Sequence, residues 1–285
     1  MRDAAFQSLA VGFFDGVHLG HQAILKGADA AFTFRNHPLT VLAPEKAPRL
    51  IMSPDARAAA IRACGVAQVT MVEFTPELAA MSADEFATRY LSSLVSRRSS
   101  SVRCGANWRF GAGGTGDAAF LRSRGIEVEV APYVEYRGER ISSSRIRRCL
   151  ENGEIADANA MLGRRFRVSG SRFQGKGEGR KLGYPTVNLK LETCNLKLPL
   201  GVYEVEVGGM KAIANYGLAP TMGDKAWKKP ALEVHLLKPG AGDLRHETGD
   251  AMEVEFVRFI RPERKFDSIE NLKRQIAADC ATIVP

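Results

Sequence analysis

Cysteine is sparse in this sequence and falls into no pattern: five in 285 residues, an odd number, with no CxxC pair. This argues against a disulfide framework and a cysteine zinc site, and for reduced thiols in a cytoplasm. No run approaches the roughly 20 apolar residues that a membrane-spanning helix needs. The N-terminus lacks the charged-then-apolar pattern of a secretion signal. The expectation is a cytoplasmic protein without a membrane partner. Internal repeats and low-complexity segments are missing as well. No arginine-rich block interleaves with aromatics; Arg97-Arg98 and Lys228-Lys229 are isolated pairs. The formal net charge of +8 is spread along the chain with acids between the basic residues. That patterning argues against nucleic acid and for a solvated surface with basic sites for small anionic substrates. The remainder is ordinary, 45% hydrophobic and 25% charged, in a chain long enough for two domains with real cores.

Residues 11–21 read VGFFDGVHLGH. An apolar run, Phe6 to Val11, reads as a strand ahead of them, and Gln22-Ala23-Ile24-Leu25 can begin a helix behind. A strand-to-helix turn points backbone N–H groups and a helix dipole at whatever binds there, which favours phosphate. His18 and His21, spaced i and i+3, can donate to phosphate oxygens, and Gly20 lets the phosphates approach the backbone. The plain alternative is a glycine-rich turn with two exposed histidines.

Residues 175–189 read GKGEGRKLGYPTVNL. Gly175, Gly177, Gly179 and Gly183 give a loop able to wrap phosphates. Arg180 is either a phosphate contact or an exposed loop arginine. Thr186 and Asn188 then stand on one side of an extended segment, since i and i+2 share a face. A hydroxyl and an amide oxygen suit Mg²⁺, a hard cation that keeps substrate phosphates in its shell.

The first half alternates strand and helix signals. Strands are expected at Phe6–Val11, Ala31–Phe34, Val69–Phe74, Ser101–Cys104 and Ile126–Val130. Ser53-Pro54 opens a helix over Asp55–Cys64, and Ser82 with Glu85 forms a capping-box pattern before Phe86, Tyr90, Leu91 and Leu94. Such alternation argues for a parallel sheet with ligands at the strand C-terminal ends. Character changes near Arg164. Val202–Val207 alternates with period 2, Gly208-Gly209 turns it into Lys211–Asn215, and Leu232–Leu237 and Met252–Ile260 read as further strands. Asp267 and Glu270 are expected to cap a last helix carrying Ile269, Leu272 and Ile276. Strands followed by one helix suggest a small β-barrel. The linker falls around Glu151–Gly163 and is partly helical.

The first motif resembles the HxGH signature of nucleotidyltransferases, and the second resembles the PTxN motif of riboflavin kinases. In this order they resemble the prokaryotic bifunctional riboflavin kinase/FMN adenylyltransferases, also called FAD synthetases. Matches continue between and beyond: Thr33–Pro38 with TFxPHP, Gly105–Gly111 with GxDFRFG, Ile141–Arg147 with SSTxIR, Leu162-Gly163-Arg164 with LGR, Gly201-Val202-Tyr203 with GVY, Ala219-Pro220-Thr221 with RPT, and Leu232–His235 with LEVH. The resemblance implies an α/β fold: a Rossmann-like nucleotidyltransferase domain over 1–163, then a six-stranded Greek-key barrel with a terminal helix over 164–285.

It also implies FAD biosynthesis: riboflavin phosphorylated to FMN with Mg-ATP, then FMN adenylylated to FAD with loss of pyrophosphate. His18 and His21 would hold the triphosphate. Ser143, Ser144 and Arg147 would face them, with Arg147 neutralising charge on pyrophosphate, although Ser142–Ser144 also reads as a plain helix cap. His37 and Asn107 would line the flavin side. Thr186 and Asn188 would hold Mg²⁺, and Glu233 would be the base for the ribityl hydroxyl, though its plain reading is the polar position of an alternating strand. Partners are then riboflavin, FMN and ATP.

Some residues depart from the family. Only ten separate His21 from Phe32, about half the usual span, and a parallel crossover ordinarily needs about a dozen or more. Either the helix is truncated or a segment is missing. Asn107 stands for Asp and Phe13 for a common Asn; Lys238 and Arg245-His246 replace Asp and Tyr-Gly. Two other readings stay open: a riboflavin kinase with a degenerate nucleotide-binding half, and a flavin or nucleotide sensor.

Overall fold

A computed structural model describes residues 6–95, 100–173, 178–191, 198–218, 230–237 and 251–283. Packing divides the chain into two compact units, residues 1–143 and 144–285.

The first unit holds five parallel strands: β1 (Ser8–Val11), β2 (Ala30–Phe34), β3 (Gln68–Val72), β4 (Ser101–Gly105) and β5 (Glu127–Ala131), in spatial order β3-β2-β1-β4-β5. Each lies within two residues of its expected span. Side chains alternate between two cores. Leu9, Val11, Ala30, Phe32, Val102 and Cys104 join Phe86, Leu91 and Leu121 on one face. Ala10 and Ala31 join Leu25 and Ile61 on the other. Period-2 alternation with apolar residues on both faces is what a sheet covered by helices on both sides requires. The caps form as read. Ser53 Oγ accepts from Ala56 N at 3.2 Å to open helix Pro54–Ala63. Ser82 and Glu85 bond reciprocally, Ser82 N to Glu85 Oε2 at 2.8 Å and Glu85 N to Ser82 Oγ at 3.2 Å.

The short crossover is a truncated helix. Leu19–Leu25 makes seven residues, about two turns. It buries Ile24 and Leu25 and stops at Lys26, and Gly27 at φ 78° reverses the chain. Asp29 then ties the crossover back, its Oδ2 accepting from Gln7 N and Ser8 N at 2.8 and 3.1 Å. The β1–β2 register, Leu9↔Ala30 to Val11↔Phe32, is regular despite the short span. A two-residue-strand hairpin, β6 (Glu135–Tyr136) and β7 (Glu139–Arg140), follows β5.

In the second unit, helices Ser143–Asn152 and Ile155–Leu162 precede the barrel, the latter ending at left-handed Gly163. Asn159 fastens it to the barrel: its Nδ2 donates to Phe256 O at 2.8 Å, and its Oδ1 accepts from Phe166 N at 2.7 Å. The barrel strands are β8 (Phe166–Phe173), β9 (Val187–Leu191), β10 (Gly201–Val207), β11 (Met210–Leu218), β12 (Pro230–Leu236) and β13 (Ala251–Pro262). They close antiparallel in the order β10-β11-β12-β9-β8-β13. The meander β10-β11-β12 with β13 returning beside β10 is a Greek key. Tyr203, Val205, Ala214, Leu232, Val234 and Phe256 are buried at alternate positions and fill the interior. The Gly208-Gly209 turn sits between Val207 and Met210 as expected.

The terminal helix departs from its reading in one detail. Ser268, not Asp267, is its N-cap, accepting from Asn271 N at 3.2 Å, and the helix runs Ile269–Ala281. Ile269 is consequently exposed. The helix end packs Cys280 and Ile283 on Val202 and Ile213, outside the barrel. Beneath it, Asp279, 3% exposed, accepts from Arg261 Nε at 2.9 Å and from Gln275 Nε2 at 2.6 Å.

Candidate functional site

In the first unit the candidate residues collect at the C-terminal ends of the parallel strands, where order 3-2-1-4-5 reverses direction between β1 and β4. The loop after β1 is backbone-strained: Phe14 and Val17, both buried, have φ of 58° and 41°. Such φ values in side-chain-bearing residues persist only where surroundings enforce them. Gly12 is needed here, because a Cβ at that position would stand 2.9 Å from the Phe14 ring. The strained loop delivers two histidines together. His18 caps the helix, its Nδ1 accepting from His21 N at 3.2 Å. In the neutral ring this leaves the proton on Nε2, the tautomer that donates to an anion. The His18 and His21 rings stack at 3.6 Å between centroids, and Phe14 meets His21 edge-on at 5.4 Å. Gly20 runs under His18, whose Nδ1 lies 3.2 Å from where a Cβ would be.

The residues expected on the flavin side follow β2 and β4, the strands on either side of β1. His37 Nδ1 accepts from Leu39 N at 3.1 Å, so its neutral ring too carries the proton on Nε2. The His37 ring meets Phe13 at 4.8 Å, near perpendicular. Asn107, after β4, is exposed, and its Oδ1 accepts from Arg140 Nη2 at 3.2 Å. Arg140 in turn stacks on Tyr133 at 3.9 Å. Ser143 Oγ donates to Asp15 O at 2.9 Å, which ties the end of the first unit to the β1 loop across 128 residues. Ser144 is exposed and Arg147 half-buried in the first turns of helix Ser143–Asn152; both belong to the second unit.

Two residues without an assigned role hold this site. Asp15, 1% exposed, accepts from Ile51 N with both oxygens, at 3.0 and 3.1 Å. Arg57, fully buried, donates from Nη2 to Phe34 O at 2.5 Å and Arg35 O at 2.9 Å, and lies 4.2 Å over the Phe13 ring. Burial lowers its pKa to about 10 against the opposing pull of Asp15, so it stays charged at neutral pH. Asp15 was within reach of the sequence as an acid inside the FDG string. Arg57 gave no signal, because its partners lie 22 residues or more away.

In the second unit the PTxN and LEVH strings meet. In the β9–β12 ladder Asn188 stands directly opposite Glu233, and Glu233 is opposite Asn215 on β11. These three side chains share the barrel's outer face, since Leu189, Leu232 and Val234 point inward. Glu233 is half-buried, and burial, then the charge of Glu263, pushes its carboxyl above the ordinary range. His235 Nδ1 pairs with Pro185 O at 2.9 Å and so pins the segment that carries Thr186. Gly179 backs Thr186: a Cβ there would strike the Tyr184 carbonyl and stand 3.1 Å from Thr186 Oγ1. Arg180 lies in the short helix Glu178–Lys181. Gly175 and Gly177, the RPT string, Lys238 and Arg245-His246 lie outside the described residues. Asn188 on β9 and Thr186 just ahead of that strand offer amide and hydroxyl oxygens, hard donors that fit Mg²⁺, with the Glu233 carboxylate opposite Asn188.

A doubly wound sheet with paired histidines at its switch point, followed by a Greek-key barrel with Asn188 and Glu233 paired on its outer face, is the layout of a two-module nucleotidyltransferase and kinase. The family models agree: FAD synthetase matches residues 2–145 and riboflavin kinase residues 162–284. The chain belongs to the bifunctional riboflavin kinase/FMN adenylyltransferase family. It is 36% identical to the member from Pseudomonas fluorescens, 35% to that from Escherichia coli K12 and 32% to that from Bacillus subtilis, over 95% of this chain and 90%, 90% and 89% of theirs. Its fold is similar to a crystal structure described as a macrolide-efflux protein from Streptococcus pneumoniae, with a TM-score of 0.85, 26% identity, and coverage of 98% and 94%. Among the described residues no helix is long and apolar enough to cross a membrane.

Proposed function

We propose that this enzyme of FAD biosynthesis works in two ATP-dependent steps in a cytoplasmic setting, with residues 164–285 phosphorylating riboflavin and residues 1–163 adenylylating the FMN produced. One observation carries the reading: each motif is completed by its own neighbours, His18 against His21 in one unit and Asn188 against Glu233 in the other.

In the first step the riboflavin 5′-hydroxyl attacks the γ-phosphorus of ATP, the bond from that phosphorus to the β,γ-bridging oxygen breaks so that ADP leaves, and Glu233 takes the hydroxyl proton. A carboxylate with a raised pKa is the better base for that task. Thr186 and Asn188 would hold Mg²⁺, which when bound neutralises charge on the phosphates. Arg180 and the glycine-rich stretch with Gly175, Gly177 and Gly179 hold the nucleotide. In the second step an FMN phosphate oxygen attacks the α-phosphorus and pyrophosphate leaves. No protein nucleophile is needed, so catalysis is positioning and charge stabilisation. His18 and His21 donate Nε2–H to the triphosphate beside Gly20. Ser143 and Ser144 orient it, Arg147 takes up charge on the leaving pyrophosphate, and His37 and Asn107 receive the flavin.

The test is incubation of purified protein with riboflavin and Mg-ATP, followed by separation of riboflavin, FMN and FAD. FMN should rise first and FAD follow. FMN without FAD would sink the second step, and no FMN would sink the first.

A further inference from the structure

Arg57 is hard to account for as a stabilising residue. It is fully buried, yet its Nε and Nη1 have no hydrogen-bond partner among the described residues. Burying an ion with unsatisfied donors is costly, and replacing such a group with an apolar side chain of similar volume is often neutral or favourable. A methionine or leucine on helix Pro54–Ala63 would fill the place more cheaply.

The contacts that Arg57 does make converge on one residue it does not touch. Its Nη2 holds the carbonyls of Phe34 and Arg35, the last two residues before Asn36-His37. Its planar face lies on Phe13, whose ring edge meets His37 at 4.8 Å. A third tie supports the frame: Thr33 Oγ1 donates to Phe13 O at 2.9 Å. The backbone entering His37 and the ring beside it therefore share one guanidinium as a support, beside the Leu39 N–H that His37 Nδ1 accepts. His18 and His21 have contacts of their own in the His18 Nδ1 cap, the ring stack and the Phe14 edge.

We propose that Arg57 is a positioning residue of the FAD-forming site: through Phe13 and the end of β2 it fixes the His37 ring, and so governs the hold on FMN rather than on ATP. The proposal rests on the reading that His37 lines the flavin side. Lysine is a poor substitute, because a point ammonium cannot both bridge two carbonyls and stack on a ring.

Steady-state FAD formation from FMN and Mg-ATP tests this in the full-length protein, with riboflavin phosphorylation as internal control. Arg57→Met and Phe13→Leu should each raise KM for FMN about tenfold, and KM for ATP less than about twofold. Arg57→Lys should recover little of the loss. The kinase rate should hold, and the thermal midpoint of Arg57→Met should not fall. A merely structural Arg57 would instead lower that midpoint and weaken both substrates together, which overturns the proposal. Should Arg57→Met fail to fold, Phe13→Leu decides: an unchanged KM for FMN overturns it. His37→Ala separates the two levels. If that variant loses FMN affinity while Phe13→Leu does not, the Arg57 device alone is wrong. If His37→Ala keeps wild-type KM for FMN, the flavin-side reading falls and the device with it.

Discussion

Glu233, the proposed base, bears on both turnover and stability. Burial, and secondarily Glu263, holds its carboxyl above the ordinary range. A base must be ionised, so riboflavin phosphorylation should decline as pH falls through that raised value, earlier than an ordinary glutamate would dictate; a pH–rate profile reads this directly. Stability runs the other way. A carboxyl with a raised folded-state pKa favours the fold at low pH, and the contribution is lost as pH rises through that value. Glu233→Gln, neutral throughout, should therefore leave the thermal midpoint at neutral pH no lower than wild type. The same variant should cut turnover by about 10²–10⁴-fold, the usual worth of general-base assistance, while ATP binding persists. Unchanged turnover would return Glu233 to its plain reading as the polar position of a strand.

Two elements carry more than their length suggests. The turn from Gly179 to Thr186 is closed by Tyr184 N donating to Gly179 O at 2.8 Å, with the missing side chain of Gly179 leaving room for the Tyr184 carbonyl. Gly179→Ala should push Thr186 out of place and slow FMN formation by at least about tenfold, ~1.4 kcal/mol in the barrier. The change should show in kinase kinetics and leave FAD formation from supplied FMN intact. The terminal helix depends on Asp279, whose partner Arg261 stays largely buried if the acid is removed. Removing one member of a buried pair costs about 3–5 kcal/mol, so Asp279→Ala should lower the denaturant midpoint of the barrel unit sharply. A surface-like loss under 1 kcal/mol would mean that the pair is solvated in solution.

At the scale of the whole molecule the two chemistries should be separable. His21→Ala should abolish FAD formation from FMN and Mg-ATP without touching riboflavin phosphorylation. Asn188→Ala should cut FMN formation by roughly 10²-fold or more, ~2.7 kcal/mol, without touching FAD formation from supplied FMN. Both assays on both variants make a complete cross. Loss of both activities in either variant would show that the two sites are not independent. The truncated helix Leu19–Leu25 does not argue for a degenerate first unit, because β1 and β2 keep regular register and the histidine pair is assembled. Wild-type protein that makes FMN but no FAD would be the outcome that reopens that reading.

Local chemistry made much of this protein legible in the sequence. The Ser53 and Ser82–Glu85 caps, the Gly208-Gly209 hairpin and the alternation of Val202–Val207 depend on residues a few positions apart, and all formed as read. The motif strings named the candidate residues for the same reason: a tight turn or a strand face is specified within about ten residues. What spacing could not supply was long-range pairing. The cap at Ser268 instead of Asp267 turned on which side chain reached Asn271 N. Placing Asn188 opposite Glu233 required the barrel to close, since 44 residues separate them along the chain. Arg57 beneath Phe13 is the clearest case. Its partners come from two other segments, and a charge at the bottom of a core follows no period, so only the tertiary fold could bring it to the site.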